Sequence, residues 1–334
     1  MSPKAYITHI TYELPKKIVE NEKGRLRRKT GIDYRHVCDK EETASDLAQR
    51  AAEKLFVKGV PREKIEYIIF CSQSPDYLLP TTACLLQNRL GLSKNVGAVD
   101  VNLGCSGYEY VLGIAKGLIE SEQVKNVLIL TGETYSKYIH PEDNTVLPLF
   151  GDGATATLVE SIDSNISGIR GITYGTDGSG ASNLIVPVGG MRKKWTDTPL
   201  VEVVDDYGNK RTNQNLYMNG SAIMNFALEV VPKCINDVLD KACIEKSDID
   251  YYVFHQANKF MLQYLQQKCD LLDAPYWNDV KNYGNTVSNS IPIALTDMML
   301  SNPQASLRNV MVIGFGVGLS WSGCLVDLTR CKAI

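Results

Sequence analysis

The chain has 334 residues, 44% of them apolar and 22% charged, with a formal net charge of −3. That length holds two domains or one large composite domain, and the composition is that of a water-soluble globular protein. The slightly acidic balance offers no general electrostatic footprint for nucleic acid, and no apolar run approaches the roughly 18 residues of a membrane span.

In chain order, Ala5 to Leu14 reads as a short strand stopped by Pro15, and the basic run Lys23-Gly24-Arg25-Leu26-Arg27-Arg28-Lys29 follows. Such a run is either a solvated face or a collar for a phosphate-bearing substrate. Thr43 begins a helical pattern over Ala44 to Leu55, Ile65 to Cys71 is a buried strand, and Pro80 to Leu90 is a helix closed by Gly91. Further apolar strands are expected at Ala98–Leu103, Val127–Thr131 and Ala154–Val159. Gly168 to Asn215 is rich in Gly, Asp, Thr and Lys and is expected to form loops or a lid.

The second half repeats the first. Ile65-Glu66-Tyr67-Ile68-Ile69-Phe70-Cys71 has its counterpart in Ile249-Asp250-Tyr251-Tyr252-Val253-Phe254-His255, an offset of 184 residues (249 less 65). Lys125-Asn126-Val127-Leu128-Ile129-Leu130-Thr131-Gly132 has its counterpart in Arg308-Asn309-Val310-Met311-Val312-Ile313-Gly314-Phe315, an offset of 183 (308 less 125). Two matched strands at nearly one offset imply a duplicated α/β unit with helix-covered parallel strands. The expected division is residues 1–167 and 168–334, packed as one body.

Nine scattered cysteines without a C-x-x-C pair argue for free thiols in a reducing compartment, the cytoplasm, and against a disulfide framework or zinc site. One stands apart. Cys105 lies in Gly104-Cys105-Ser106-Gly107, between an apolar strand and a small-residue helix. At a helix N-terminus the unpaired N–H groups and the macrodipole favour a thiolate, so Cys105 is the expected nucleophile. Of four histidines, His9, His36 and His140 read as structural or surface groups, whereas His255 ends an apolar strand at the edge where α/β active sites form. Tyr283-Gly284-Asn285-Thr286 presents an asparagine on a glycine turn, as a helix cap or as a site amide. Gly314-Phe315-Gly316-Val317-Gly318 is a glycine-rich turn suited to aiming a backbone N–H at an oxyanion.

Together, Lys29-Thr30-Gly31-Ile32, Gly104-Cys105-Ser106-Gly107, Phe150-Gly151-Asp152-Gly153-Ala154, His255-Gln256-Ala257-Asn258, Tyr283-Gly284-Asn285-Thr286 and Gly314–Trp321 resemble β-ketoacyl-acyl-carrier-protein synthase III. The resemblance spans the chain in order. It implies the thiolase-like fold, two duplicated halves in a five-layer α-β-α-β-α sandwich, and a homodimer. It also implies a 3-oxoacyl-[acyl-carrier-protein] synthase III-like reaction in which Cys105 takes an acyl group from a thioester, followed by decarboxylative Claisen condensation with a malonyl thioester.

In that scheme Cys105, His255 and Asn285 are catalytic, and the backbone N–H groups of Cys105 and Val317 form the oxyanion hole. Arg25, Lys29, Leu79, Met224, Phe226, Asn258 and Lys259 are substrate-binding candidates, with Leu79 lining the partner's acyl tunnel and Met224 or Phe226 an acyl-pocket wall. Substrates are acyl-carrier-protein or coenzyme A thioesters; no cofactor or metal, and no nucleic-acid or membrane partner, is expected. Two departures stand out. No tryptophan precedes Lys29, and Asn144 replaces the family's arginine shortly before Phe150, so the adenine clamp for coenzyme A is dismantled. The basic residue after His-Gln-Ala-Asn is Lys259, one position from the expected arginine.

Hydroxymethylglutaryl-CoA synthase shares the implied fold but needs a titratable acid in the loop where this chain has Gln73. An acyltransferase moving the acyl group to an alcohol or amine without condensation remains an alternative, against which Asn285 weighs. An inactive scaffold is disfavoured by the intact Cys105, His255 and Asn285.

Overall fold

The apolar runs become strands and the helical-period segments become helices, alternating through the chain. A computed structural model describes residues 1–206 and 208–334. The first half comprises β1 (Ser2–Glu13), β2 (Ile18–Glu20), α1 (Arg25–Thr30), β3 (Tyr34–His36), α2 (Ala44–Val57), β4 (Tyr67–Cys71), α3 (Thr82–Arg89), β5 (Gly97–Val101), α4 (Gly107–Glu120), β6 (Asn126–Glu133) and β7 (Gly153–Ser164). The second begins with β8 (Ile169–Thr176) and the short strands β9 (Leu184–Ile185), β10 (Glu202–Val204), β11 (Lys210–Thr212) and β12 (Tyr217–Met218). It continues with α5 (Gly220–Ala242), β13 (Tyr251–Phe254), α6 (Lys259–Lys268), α7 (Val280–Tyr283), α8 (Ser290–Ser301), β14 (Val310–Gly316), β15 (Ser320–Val326) and β16 (Lys332–Ala333).

Two sheets carry the fold, in the orders β16-β1-β7-β6-β4-β5 and β13-β14-β15-β8. In the first, β4 and β6 are parallel, β7 runs antiparallel to β6, and β1 antiparallel to β7. In the second, β13 and β14 are parallel, β15 runs antiparallel to β14, and β8 antiparallel to β15. Strand for strand, β1-β7-β6-β4 corresponds to β8-β15-β14-β13, and the sequence offsets of 184 and 183 superpose β4 on β13 and β6 on β14. The counterpart of β5 is reduced to one parallel bridge between Tyr252 and Tyr276.

Each β strand of the central pairs is apolar on both sides because both sides are covered. Ile68, Phe70, Leu128 and Leu130 face an outer layer of α2 and α3, packing with Leu47, Ala48, Ala51, Leu55 and Leu86. Ile69, Val127 and Ile129 face inward onto α4 and α8, through Val111, Leu112, Ala115, Leu295 and Met298, and Val310 and Val312 of the second sheet close that layer from the other side. Met311, Ile313 and Leu325 pack outward against Val230, Val231, Cys234 and Val238 of α5. The layers are therefore α, β, α, β, α. At the start of α2, Thr43 and Asp46 cap each other's backbone N–H reciprocally.

One expectation is corrected. Gly168–Asn215 reads in sequence as loops or a lid, yet Ile169–Thr176 is the edge strand of the second sheet. Its glycines disguise it. A Cβ at Gly175 would lie 2.0 Å from ring atoms of Trp321, so the glycine serves cross-strand packing rather than a turn. The rest of the segment holds the hairpin β10–β11, with Val203 and Val204 exposed. Among the described residues no helix is long and apolar enough to cross a membrane.

Leu295 is fully buried between the two sheets. Leu295→Ala is expected to cost about 2–5 kcal/mol in urea unfolding, from lost transfer energy plus the cavity. A loss below about 1 kcal/mol would mean that the central layer can collapse around the gap.

Candidate active site

Cys105 sits where β5 turns into α4, and strand β14 of the other half lies directly against that turn. A Cβ on Gly316 would be 2.8 Å from Cys105 Sγ, one on Gly314 would be 2.6 Å from the Cys105 carbonyl, and one on Gly104 would be 2.7 Å from Val317 Cγ1. Only glycine permits this approach. It brings two amides to one atom: the N–H groups of Val317 and of Cys105 itself both donate toward Sγ.

The thiol does not behave as the sequence suggests. Burial, then the nearby Glu133 carboxyl, pushes Cys105 up to about 12, with the two amides pulling the other way. Ser106 is the N-cap and α4 begins at Gly107, so Cys105 stands just outside the helix, and it is only 5% exposed. Desolvation outweighs the helix terminus, and the resting group is a thiol.

His255 follows the last residue of β13 and is held by its backbone N–H on Ile313 O at 2.9 Å. Its ring meets Phe315 edge-on with centroids 5.6 Å apart, and Nδ1 lies 2.7 Å from Ser290 Oγ. Burial lowers its pKa to about 3, so the imidazole is neutral at physiological pH.

Asn285 follows Gly284, whose positive φ of 67° and 2.7 Å approach of a would-be Cβ to Leu149 O demand glycine. The Asn285 N–H donates to Leu149 O at 2.8 Å, and its carbonyl accepts from Gly151 N at 3.0 Å, which joins this turn to the Phe150–Gly153 motif. Asp152 anchors that motif by accepting from the N–H groups of Cys38 (2.8 Å) and Ser136 (3.0 Å). The Asn285 side chain is oriented as well: Oδ1 accepts from Val287 N at 2.9 Å, so Nδ2 keeps its protons for the cavity. Val287 has φ 57°, a strained value for a β-branched residue, and that conformation places the orienting N–H.

Cys105, His255 and Asn285 line one cavity of about 740 Å³, with Phe315 and Gly316 beside them at its buried end. Val146, Leu184, Ile223 and Met224 supply apolar wall. The exposed end carries two cation–aromatic pairs: Lys29 Nζ is 4.3 Å from the Phe260 ring centre, and the Arg211 guanidinium carbon 4.7 Å from that of Tyr217.

The remaining candidates are divided. Asn258 lines the cavity while its side chain caps α6 through Met261 N at 2.9 Å. Phe226 does not line it; the ring packs edge-on against Trp321 at 5.8 Å, in the core. Lys259 covers Gly31 and opens onto a separate basic cleft of about 620 Å³ with Lys23, Arg27, Arg28 and Lys281. Arg25 lines neither space. Leu79 is 82% exposed and away from its own chain's cavity. His9, His36 and His140 lie outside it.

Three residues escaped the sequence reading. Glu133, fully buried at the end of β6, accepts from Gln73 N (3.1 Å), Ser74 Oγ (2.9 Å) and Ser288 Oγ (3.1 Å), tying the loop after β4 to the loop carrying Asn285. Burial raises it to about 8 against those hydrogen bonds. Ser290, five positions after Asn285, reaches His255, and Arg211 enters from the hairpin. Only the charge of Glu133 at the end of an apolar strand was visible as a signal. Among the described residues no cluster of His, Cys, Asp and Glu could hold a metal ion.

Comparison with known proteins adds independent findings. Residues 99–178 match the family model described as 3-oxoacyl-[acyl-carrier-protein (ACP)] synthase III, and residues 239–328 match the model of that family's C-terminal part. A β-ketoacyl-[acyl-carrier-protein] synthase III of Clostridium perfringens is 36% identical over 324 residues, covering 94% of this chain and 96% of the relative. A crystal structure of a 3-oxoacyl-(acyl-carrier-protein) synthase III superposes with a TM-score of 0.94 at 43% identity, covering 97% of this chain and all of the other. A 3-oxoacyl-(acyl-carrier protein) synthase from Burkholderia xenovorans gives 0.89 at 33% identity, covering 99% and 95%.

With the thiol pushed up to about 12, its ionised fraction rises with pH throughout the accessible range. Alkylation of Cys105 by iodoacetamide, read by peptide mass spectrometry, is expected to climb about tenfold per pH unit between about pH 7 and pH 10. A plateau beginning near neutrality would contradict the buried-thiol assignment. In Gly316→Ala the added methyl competes for the space at Sγ, and alkylation falls at every pH.

Proposed function

The chain belongs to the 3-oxoacyl-[acyl-carrier-protein] synthase III family, and we propose that it joins an acyl group carried on Cys105 to a malonyl thioester by decarboxylative condensation. The observation that carries this reading is the convergence on one cavity of a thiol under two amides with two neutral groups, His255 and Asn285.

The reaction runs in two stages. Cys105 Sγ attacks the donor's thioester carbonyl, the Cys105 and Val317 amides bind the oxyanion, and the departing thiol carries away the proton that Cys105 loses. A malonyl thioester then enters. Its C–CO₂ bond breaks, CO₂ leaves with the carboxylate charge neutralised, and the electron pair becomes an enolate whose oxygen takes hydrogen bonds from His255 and Asn285. The enolate carbon attacks the acyl-Cys105 carbonyl, the same two amides hold the second oxyanion, and collapse releases the β-ketoacyl product and the Cys105 thiolate, which regains a proton. Nothing in these steps draws on a cofactor.

The donors are coenzyme A or acyl-carrier-protein thioesters, which share the phosphopantetheine arm. Lys29 and Arg211 at the exposed end favour a phosphate there, while Asn144, exposed and outside the cavity, leaves no cationic clamp for adenine. Met224 serves as acyl-pocket wall, Asn258 borders the arm, and the cleft of Lys259 offers an acidic carrier protein a docking face near Arg25. Homodimerisation belongs to the same reading. Among the described residues strand β5 has only β4 beside it in its sheet, and Tyr77, Leu78 and Leu79 stand exposed in the loop after β4, so a second copy would cover them and receive Leu79 in its acyl tunnel. The division at residues 167 and 168 is supported by β7 ending at Ser164 in one sheet and β8 starting at Ile169 in the other, though β16 returns to the first. A cytoplasmic site of action accords with nine free cysteines.

Intact-mass spectrometry after incubation with a panel of acyl thioesters tests the assignment. The wild-type protein is expected to gain one acyl mass and Cys105→Ala none. Labelling that survives in Cys105→Ala, or no labelling from any carrier, would overturn it. The donor that labels names the starter.

A further inference from the structure

We propose that Ser290 is a positioning residue that fixes His255 as its Nε2–H tautomer, so that His255 enters the reaction as a hydrogen-bond donor and not as a base for the Cys105 thiol. The role of His255 in condensation rests on the function proposed above; the tautomer does not.

One hydroxyl decides the tautomer. Ser290 is 3% exposed at the first residue of α8, and two partners reach its Oγ: the Gln256 backbone N–H at 3.3 Å and His255 Nδ1 at 2.7 Å. The Gln256 amide can only donate, so it occupies a lone pair of Oγ. If Nδ1 also carried a proton, the hydroxyl would accept twice and its own proton would be left without an acceptor in a buried site. If Nδ1 is bare, the hydroxyl accepts from Gln256 and donates to His255, and every group is satisfied. The remaining imidazole proton is then on Nε2.

The hydroxyl is itself held. Asn289, just before it, is fully buried: its Nδ2 donates to Gly153 O (2.9 Å) and Thr286 O (3.0 Å), and its Oδ1 accepts from Thr131 Oγ1 (2.6 Å). The start of α8 is thereby pinned to β6 and β7 of the first half. The assignment is the reverse of a serine-hydrolase triad, in which a carboxylate accepts from Nδ1–H and leaves Nε2 bare to act as a base. Here Nδ1 meets a hydroxyl donor, and Nε2–H joins Asn285 Nδ2 as a second donor. Two donors and no base suit an enolate oxygen; they cannot take the thiol's proton, which must leave with the departing thiol.

The test uses full-length protein with ¹⁵N-labelled histidine, and long-range ¹H–¹⁵N correlation assigned with His255→Asn. Wild type is expected to show an unprotonated Nδ1 and a protonated Nε2 at His255, and Ser290→Ala a mixed or inverted pattern. A protonated Nδ1 in wild type would overturn the proposal. Kinetically, Ser290→Ala is expected to slow condensation about tenfold more than acylation of Cys105, the weight of roughly one oriented hydrogen bond, with Ser290→Thr recovering part of the loss. Equal slowing of both steps would reduce Ser290 to a structural residue and also overturn it. Failure of wild-type Cys105 to acylate would instead strike the proposed function, while the tautomer signal would still decide the role of Ser290.

Discussion

The site depends on a close backbone contact between the two halves. Strand β14 can lie against the Cys105 turn only because Gly314 and Gly316 have no side chains, with a Cβ on Gly316 placed 2.8 Å from the sulfur. That contact delivers the Val317 amide to the thiol and sets Phe315 against His255. It exists because α4 and α8 are clamped between two sheets of matching topology, so each half supplies what the other lacks: the nucleophile from one, the imidazole and the carboxamide from the other. Glu133 reinforces the seam by binding the loops of both halves with one carboxyl.

The electrostatics follow from dryness rather than from charge. Burial keeps Cys105 protonated and His255 neutral and pushes Glu133 up to about 8, while the cations Lys29 and Arg211 stand apart at the exposed end of the cavity. What remains is a set of dipoles already aimed: two amides at the sulfur, Asn285 Nδ2 freed by the Val287 amide, and an imidazole braced by Ser290. Such donors need no reorganisation when negative charge appears, and each is worth more in a low-dielectric cavity than in water. The same dryness explains why the helix terminus beside Cys105 fails to ionise it at rest. It acts on charge as charge develops, and desolvation wins before then.

Much of this was legible in the sequence because duplication leaves an arithmetical trace. Offsets of 184 and 183 residues located the two equivalent strand pairs, and Cys105, His255 and Asn285 each stand at a strand end or glycine turn, where a chain change of direction exposes a side chain. What was hidden depends on partners distant in sequence. Strand β8 was masked by Gly175, whose reason is the ring of Trp321 on the neighbouring strand. Phe226 had the size for a pocket wall, yet its helical phase sets it against Trp321, while Met224 faces the cavity. Ser290 carries no local signal and Glu133 only its charge at a strand end, since a serine at a helix start reads as a cap and a glutamate after a strand as surface. The thiol's protonation is hidden as well, because a helix terminus is visible in sequence and desolvation is not.

The most direct measurement of the central claim is the stoichiometry of CO₂ release against β-ketoacyl product, using carboxyl-labelled malonyl-carrier protein and enzyme already acylated at Cys105. Decarboxylative condensation predicts one CO₂ for each β-ketoacyl group formed, with both lost together in Asn285→Ala. Discharge of the acyl group to an alcohol or amine acceptor, with the malonyl label retained, would contradict it and establish simple acyl transfer in its place.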